Sequence, residues 1–247
     1  MASQNFTVEV KPTIGAIQQQ AGVYTAGDLL FDWAEFELPS GGAKLTGVTT
    51  IIRPKGDTAP TPNNFSMDLI FGKLGSTLGT SNAVFNIATP TEDIIGACSV
   101  PAATAGTVST SCTSVGNVNG LDISIHPAQH PIKGTNVGFD KFYVAGIATG
   151  AFFFTTATNI IQDDGAASAT LHCDGSSADL RQHFLPGDII QTGTTVSGIA
   201  AGTTLGTVQT VDSDTNITLT AASTTALKDG MLLYNTKPIK LLLHFQK

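Results

Sequence analysis

The residues able to do chemistry are few and poorly grouped. His126 and His130 enclose Pro127-Ala128-Gln129 and are followed by Pro131. Such an i, i+4 pair makes a metal face only on a helix, and two prolines forbid a regular helix here. No Cys, Asp or Glu stands close enough to complete a tetrahedron, so the segment reads as a proline-ordered surface loop. His172 and Cys173 join a base to a nucleophile in sequence, but neighbours on a strand point to opposite faces. Asp212-Ser213-Asp214-Thr215-Asn216 begins like a calcium loop, yet Ile217 stands where that loop needs glycine and Ser223 where it needs a bidentate glutamate. A hairpin turn whose Asp and Asn bond to their own backbone explains it better.

Acidic pairs come next: Asp163 with Asp164, Asp28 with Asp32, Glu35 with Glu37. Paired carboxylates do acid–base work only where a cleft perturbs them, and Glu35 and Glu37 share the polar face of an alternating strand. There is no GxSxG elbow, no phosphate-cradling glycine loop before a helix and no HExxH. The expectation is a protein with no catalytic residue, no cofactor and no metal.

The elements that would position these residues are strands. Period-two alternation recurs along the chain and helical periodicity hardly at all. Strands are expected at Phe6 to Val10, Leu29 to Leu38, Lys44 to Arg53, Phe65 to Phe71, Ala83 to Ala88, Leu121 to Ile125, Phe142 to Ala148 and Phe152 to Thr156. Thr91 to Ala97 reads as a short helix, with Thr91 as N-cap and Glu92 and Asp93 in its first turn. Val100 to Val118 reads as hairpin or loop. Near Gln162-Asp163-Asp164-Gly165 the texture changes to short strands almost free of aromatics: Ala169 to Cys173, Asp188 to Thr192, Thr203 to Val211, Ile217 to Ala221 and Met231 to Tyr234. Regularly spaced short strands suggest a small barrel. Pro238 to Phe245 then returns to the long apolar style of the first half.

The fold expected is therefore all-β. A β-sandwich main domain, jelly-roll or Ig-like, spans 1–161 plus 237–247, and a small β-barrel-like inserted domain spans 162–236. Insertion at a loop tip is a tolerated route to such an architecture. Cys98, Cys112 and Cys173 are odd in number and form no CxxC pair; they read as reduced, partly buried thiols, with a Cys98–Cys112 bridge as the alternative.

Composition limits the partners. Charged residues make up 13% of the chain, about half the ~25% of ordinary soluble domains. So few charges suit a surface largely covered by neighbours. A net charge of −7 with no basic run excludes a partner held through phosphates. The most basic stretch, Lys237, Lys240 and Lys247, reads as a solvated face. No run approaches the ~20 apolar residues of a membrane span, so no membrane partner is expected. The opening residues, Met1 to Phe6, carry neither basic leader nor apolar core, which reads as assembly in a host cytoplasm. With 13 Phe against 3 Tyr and 1 Trp, most aromatics should be core rather than a binding platform. Phe152-Phe153-Phe154 must put an aromatic on each sheet face, and with Trp33 and Phe245 forms the candidate interface.

Leu185-Pro186-Gly187-Asp188-Ile189-Ile190, Val196 to Thr203, Val208 to Val211, Asp212 to Thr215 and Ile217 to Ala222 together resemble a β module of tailed-bacteriophage virion proteins, also met in bacterial surface proteins. The first half, with Asp32 to Pro39 and Lys44 to Val48, is similar in style to phage capsid-associated proteins. The resemblance implies a virion structural protein, a capsid decoration or cement protein that forms homo-oligomers and binds the major capsid protein. A tail or fibre component, or a carbohydrate-binding protein, are the alternatives.

Overall fold

Ile239-Lys240-Leu241-Leu242-Leu243-His244-Phe245-Gln246 alternates buried and half-buried at every position. With a side-chain period of two, such a segment must lie as a strand with its odd-numbered residues in a core. In the computed structural model it is the second strand of a five-stranded sheet. The structure describes residues 4–55, 61–73, 75, 77–86, 94–102, 104–105, 113–126, 132–154, 160–161, 167–174 and 179–247.

In chain order the described elements are β1 (Asn5–Val10), α1 (Ala16–Gln20), β2 (Leu29–Pro39), β3 (Ala43–Ile52), β4 (Met67–Gly72), β5 (Ile94–Val100), β6 (Thr104–Ala105), β7 (Ser114–Ile125), β8 (Phe139–Ala148), β9 (Ile160–Ile161), β10 (Thr170–Asp174), α2 (Leu180–His183), β11 (Ile189–Thr192), β12 (Thr204–Val211), β13 (Asn216–Leu219), β14 (Met231–Asn235) and β15 (Ile239–Gln246). The fold is all-β, and every strand pairing is antiparallel. One sheet runs β1-β15-β3-β7-β6 and a second β2-β8-β4-β5. Their inner faces supply one core: Leu45, Val48, Ile52, Leu241, Leu243 and Phe245 from the first, Phe36, Leu38, Leu69, Phe71, Phe142 and Val144 from the second. Phe36 meets Phe245 across the gap at 6.1 Å between ring centroids and stacks on Phe142 at 5.9 Å.

The remaining strands pair in the order β10-β13-β12-β11-β14-β9, and the two-residue β9 pairs back onto β10 to close the ring. Their interior is a separate core of small aliphatics, including Leu171, Ile190, Leu205, Val208, Ile217, Leu219, Met231 and Leu233, with Leu180 and Phe184 around α2 covering it. Within this unit Val196 and Ile199 exchange both backbone hydrogen bonds, at 3.0 and 2.9 Å, across Ser197 and Gly198. Both turn residues have positive φ, 48° and 84°, the combination a tight two-residue hairpin requires.

Several expectations are corrected. Ile94–Ala97 is strand rather than helix: β5 pairs with β4 from Met67 opposite Val100 to Gly72 opposite Ile94, and a free sheet edge overrides a local capping signal. Thr91, Glu92 and Asp93 lie outside the described residues. Of the hairpin-or-loop reading of Val100 to Val118 the hairpin holds, since β6 pairs antiparallel with the start of β7, Thr104 opposite Val115 and Ala105 opposite Ser114, but Ser114–Val118 is already part of a long strand that follows β3 for nearly its whole length. Ala83–Asn86 is turn and coil with a single bridge from Val84 to Asp28, and Phe152 makes only an isolated bridge to Tyr24. The short α1 was unforeseen. At the β2–β3 turn the glycines are required, since Gly42 has φ +75° and a Cβ there would come within 2.2 Å of the Ile125 carbonyl.

Candidate functional site

The described carboxylates that the sequence singles out are tied into the scaffold. Asp28 accepts from Thr25 twice, from N–H at 2.6 Å and hydroxyl at 2.9 Å. Asp32 accepts from the Thr77 hydroxyl at 2.7 Å and the Leu78 N–H at 3.0 Å, holding the loop that covers the outer face of the second sheet. Glu35 pairs with Lys141 at 2.8 Å. Glu37 accepts from the Thr135 N–H and from the Asn136 side-chain amide at 2.8 Å, and these bonds hold its carboxyl below the usual range. Asp163 and Asp164 lie outside the described residues.

Two of the histidines are tied in as well. His172 meets the Asn216 amide oxygen at 2.6 Å, while Cys173 points into the barrel core. His244 bridges Thr7 and Thr49 on the outer sheet face at 3.1 and 3.0 Å. His126 is exposed and His130 lies outside the described residues. Among the described residues no three His, Cys, Asp or Glu side chains gather to hold a metal. Asp212 closes the β12–β13 hairpin by accepting from the hydroxyls of Thr210 and Thr218 at 2.7 and 2.6 Å, and these bonds lower its pKa. The local backbone ties there come from the Ser213 hydroxyl rather than from Asp or Asn, since it accepts the Thr215 and Asn216 N–H groups. Cys98 is a buried free thiol, and burial pushes it up to about 11; Cys112 lies outside the described residues.

The candidate interface divides. Phe152, Phe154 and Phe245 are 6, 3 and 1% exposed and belong to the sandwich core, so they offer no surface to a partner. Phe152 stacks on Phe65 at 3.9 Å and on Tyr24 at 4.9 Å, with Phe154 edge-on. Phe153 is half-buried, with the Lys55 ammonium 4.1 Å above its ring. Trp33 is half-buried and packs toward Leu29, Ile70 and Leu78 on the outer side of the second sheet, its six-membered ring against Gly72. It borders an open groove with Glu9, Asp32 and Glu35. Its Nε1 is buried without a protein partner, so the tryptophan does not present the polar edge that sugar platforms use.

What the sequence reading missed is the seam between the two cores. The chain after β1 runs onto the barrel: Ile14 N–H donates to the Thr236 carbonyl at 2.8 Å, and buried Gln19 donates to the carbonyls of Ile14 and Asn235, both at 2.7 Å. Asn235 in turn donates to Asp188 Oδ2 at 2.7 Å, which also accepts from the Leu185 N–H at 2.8 Å. Arg53, just past β3, lies 3.6 Å from the same oxygen, the two side chains being 20 and 9% exposed. Burial raises the Asp188 pKa despite these partners, and burial lowers that of Arg53. At 3.6 Å the pair is too long for a strong charge-assisted bond.

A cleft of about 100 Å³ opens over this pair, lined by Lys11, Ile51, Arg53, Thr113, Leu185, Asp188, Lys237, Pro238 and Lys240. Its cations are scattered in sequence and converge because β15 pairs with both β1 and β3, with Lys240 opposite Ile51. The basic stretch near the C-terminus was the one available signal. It divides, since Lys247 instead donates to the Ser40 carbonyl at 3.1 Å. Compared with known proteins, the chain matches no family model, and no curated protein is detectably similar to it.

Proposed function

We propose that this chain is a non-enzymatic structural protein of a tailed-phage virion, a capsid decoration protein that forms homo-oligomers and binds the head shell through the major capsid protein. The observation that carries the reading is the use of its polar side chains. Asp28, Asp32, Glu35, Glu37, His172, His244 and Asp212 each serve as a tie within the scaffold, as suits a protein whose work is to hold a shape. The low charged fraction of 13% and the phage-like pattern from Leu185 to Ala222 support it. Fully exposed Val137 and partly exposed Ile132, on the loop before β8, leave apolar surface for a partner to cover.

The test is location. Antibody raised to the recombinant chain should gold-label the heads of intact virions of the encoding phage, and mass spectrometry of separated heads and tails should find the chain in heads. Recovery from tails alone overturns the decoration reading and leaves the tail or fibre alternative. Its absence from both overturns the virion reading itself.

A further inference from the structure

The chain carries only 12 Lys and Arg in 247 residues and has a net charge of −7, yet four of those cations, Lys11, Arg53, Lys237 and Lys240, line one cleft of about 100 Å³. Two carboxylates face them. Glu9 is shared by Lys11 at 2.9 Å and Lys240 at 3.3 Å, and Asp188 lies 3.6 Å from Arg53. Four positive charges less two negative leave the cleft at +2, against the sign of the whole molecule. A concentration of positive charge on an otherwise acidic surface focuses anions there. Lys237 has no carboxylate among the described ion pairs.

The lining also has an apolar part, Ile51, Leu185 and Pro238, with Leu185 46% exposed. The volume is well below the roughly 300–1,000 Å³ of pockets that enclose whole small molecules, and it suits the end of a side chain. A carboxylate on a methylene stem matches both parts of the lining, the oxygens meeting the cations and the stem lying against the apolar residues. We infer that this cleft is a docking site for an acidic segment of a partner protein, which would insert a glutamate or aspartate side chain between Arg53, Lys237 and Lys240. Because Arg53 belongs to the sandwich and Leu185 and Asp188 to the barrel unit, the inserted group also bridges the seam between the two cores. The inference does not depend on the virion reading, and its test is separate from particle labelling.

The probe is a capped tetra-glutamate peptide titrated into the full chain at low salt by calorimetry, with the tetra-glutamine peptide as control. Saturable one-to-one binding is expected for the first and none for the second. The Lys237→Gln/Lys240→Gln double variant should weaken it on the order of tenfold, Lys11→Gln should weaken it less, and Lys44→Gln, on the far end of β3, should leave it unchanged. Should the double variant melt differently from the wild type, Lys237→Arg/Lys240→Arg must retain binding. Absence of saturable binding overturns the inference, as does binding that the lysine substitutions leave unchanged. Inorganic phosphate that binds more tightly than the peptide at matched ionic strength would make the cleft a small-anion site and overturn the assignment to an acidic segment.

Discussion

Removing β15 should abolish the sandwich. Ending the chain at residue 236 removes Ile239, Leu241, Leu243 and Phe245, all at most 1% exposed. At about 1.5–3 kcal/mol for each buried side chain, the loss is roughly 6–12 kcal/mol, comparable with the ~5–15 kcal/mol that holds a whole domain folded. The strand also pairs along both edges, with β1 from Asn5 to Val10 and with β3 from Lys44 to Ile52, so its loss strips ladder partners from two more strands. A point variant gives a finer scale. Leu243→Ala should cost about 2–5 kcal/mol, while Leu242→Ala, on the opposite face between Glu9 and Thr49, should cost under about 1 kcal/mol. Urea unfolding followed by circular dichroism reads both. Equal costs for Leu242→Ala and Leu243→Ala would refute the assignment of faces, and a truncated chain with an unchanged cooperative transition would refute the role given to β15.

Deleting 165–234 with a short linker should leave the sandwich folded, because its core draws on no residue from that span; hydrogen exchange that finds β3 and β15 unprotected would count against this. Phe152→Ala should destabilise by about 3–5 kcal/mol, whereas Phe153→Ala, losing a half-buried ring and its cation–π contact with Lys55, should cost less, about 1–2 kcal/mol, as thermal melts of the two would compare. Asp188 has a folded pKa raised by burial, so the folded state holds its proton more tightly and the group's contribution to stability falls as pH rises from its unfolded value through its folded one. The difference in unfolding free energy between wild type and Asp188→Asn should therefore drift against the wild type as pH rises through that window, and a flat difference would show that the carboxyl is not strained. Cys98, buried with its thiol pushed up to about 11, should resist aromatic disulfide reagents in the native state at about pH 8 and react on unfolding, with the labelled peptide identified by mass spectrometry.

Much of the fold was legible because period two is a local signal. Ile239 to Gln246 declares its faces residue by residue, and Leu29 to Pro39 and the short strands from Thr170 onward lie within a residue or two of where the pattern puts them, although bulges break the alternation in the first half of β2. Two of the misplaced elements share a cause. Ile94–Ala97, with Gly96 and Ala97, and Ser114–Val118, with Gly116 and Asn117, carry residues that make weak strands alone, and they are strands because β4 and β3 present edges to them. That is tertiary information, absent from any window of sequence.

The seam escaped reading for a stronger version of the same reason. Ile14, Gln19, Arg53, Asp188 and Asn235 meet only after β15 has paired with β1 and β3 and the barrel unit has formed between them. None of the five is unusual in its local setting. Their burial is nevertheless costly, since Asp188 keeps a raised pKa even with two hydrogen bonds and a nearby guanidinium. A connection needed only to join two stable units could be made of apolar contacts at lower cost. On the inference drawn for the cationic cleft, an acidic segment seated there would stiffen this polar seam. The comparison that isolates this is peptide-induced protection of the Ile14 and Thr236 amides in hydrogen exchange, which seam stiffening requires and a purely local contact at Lys237 and Lys240 would not produce.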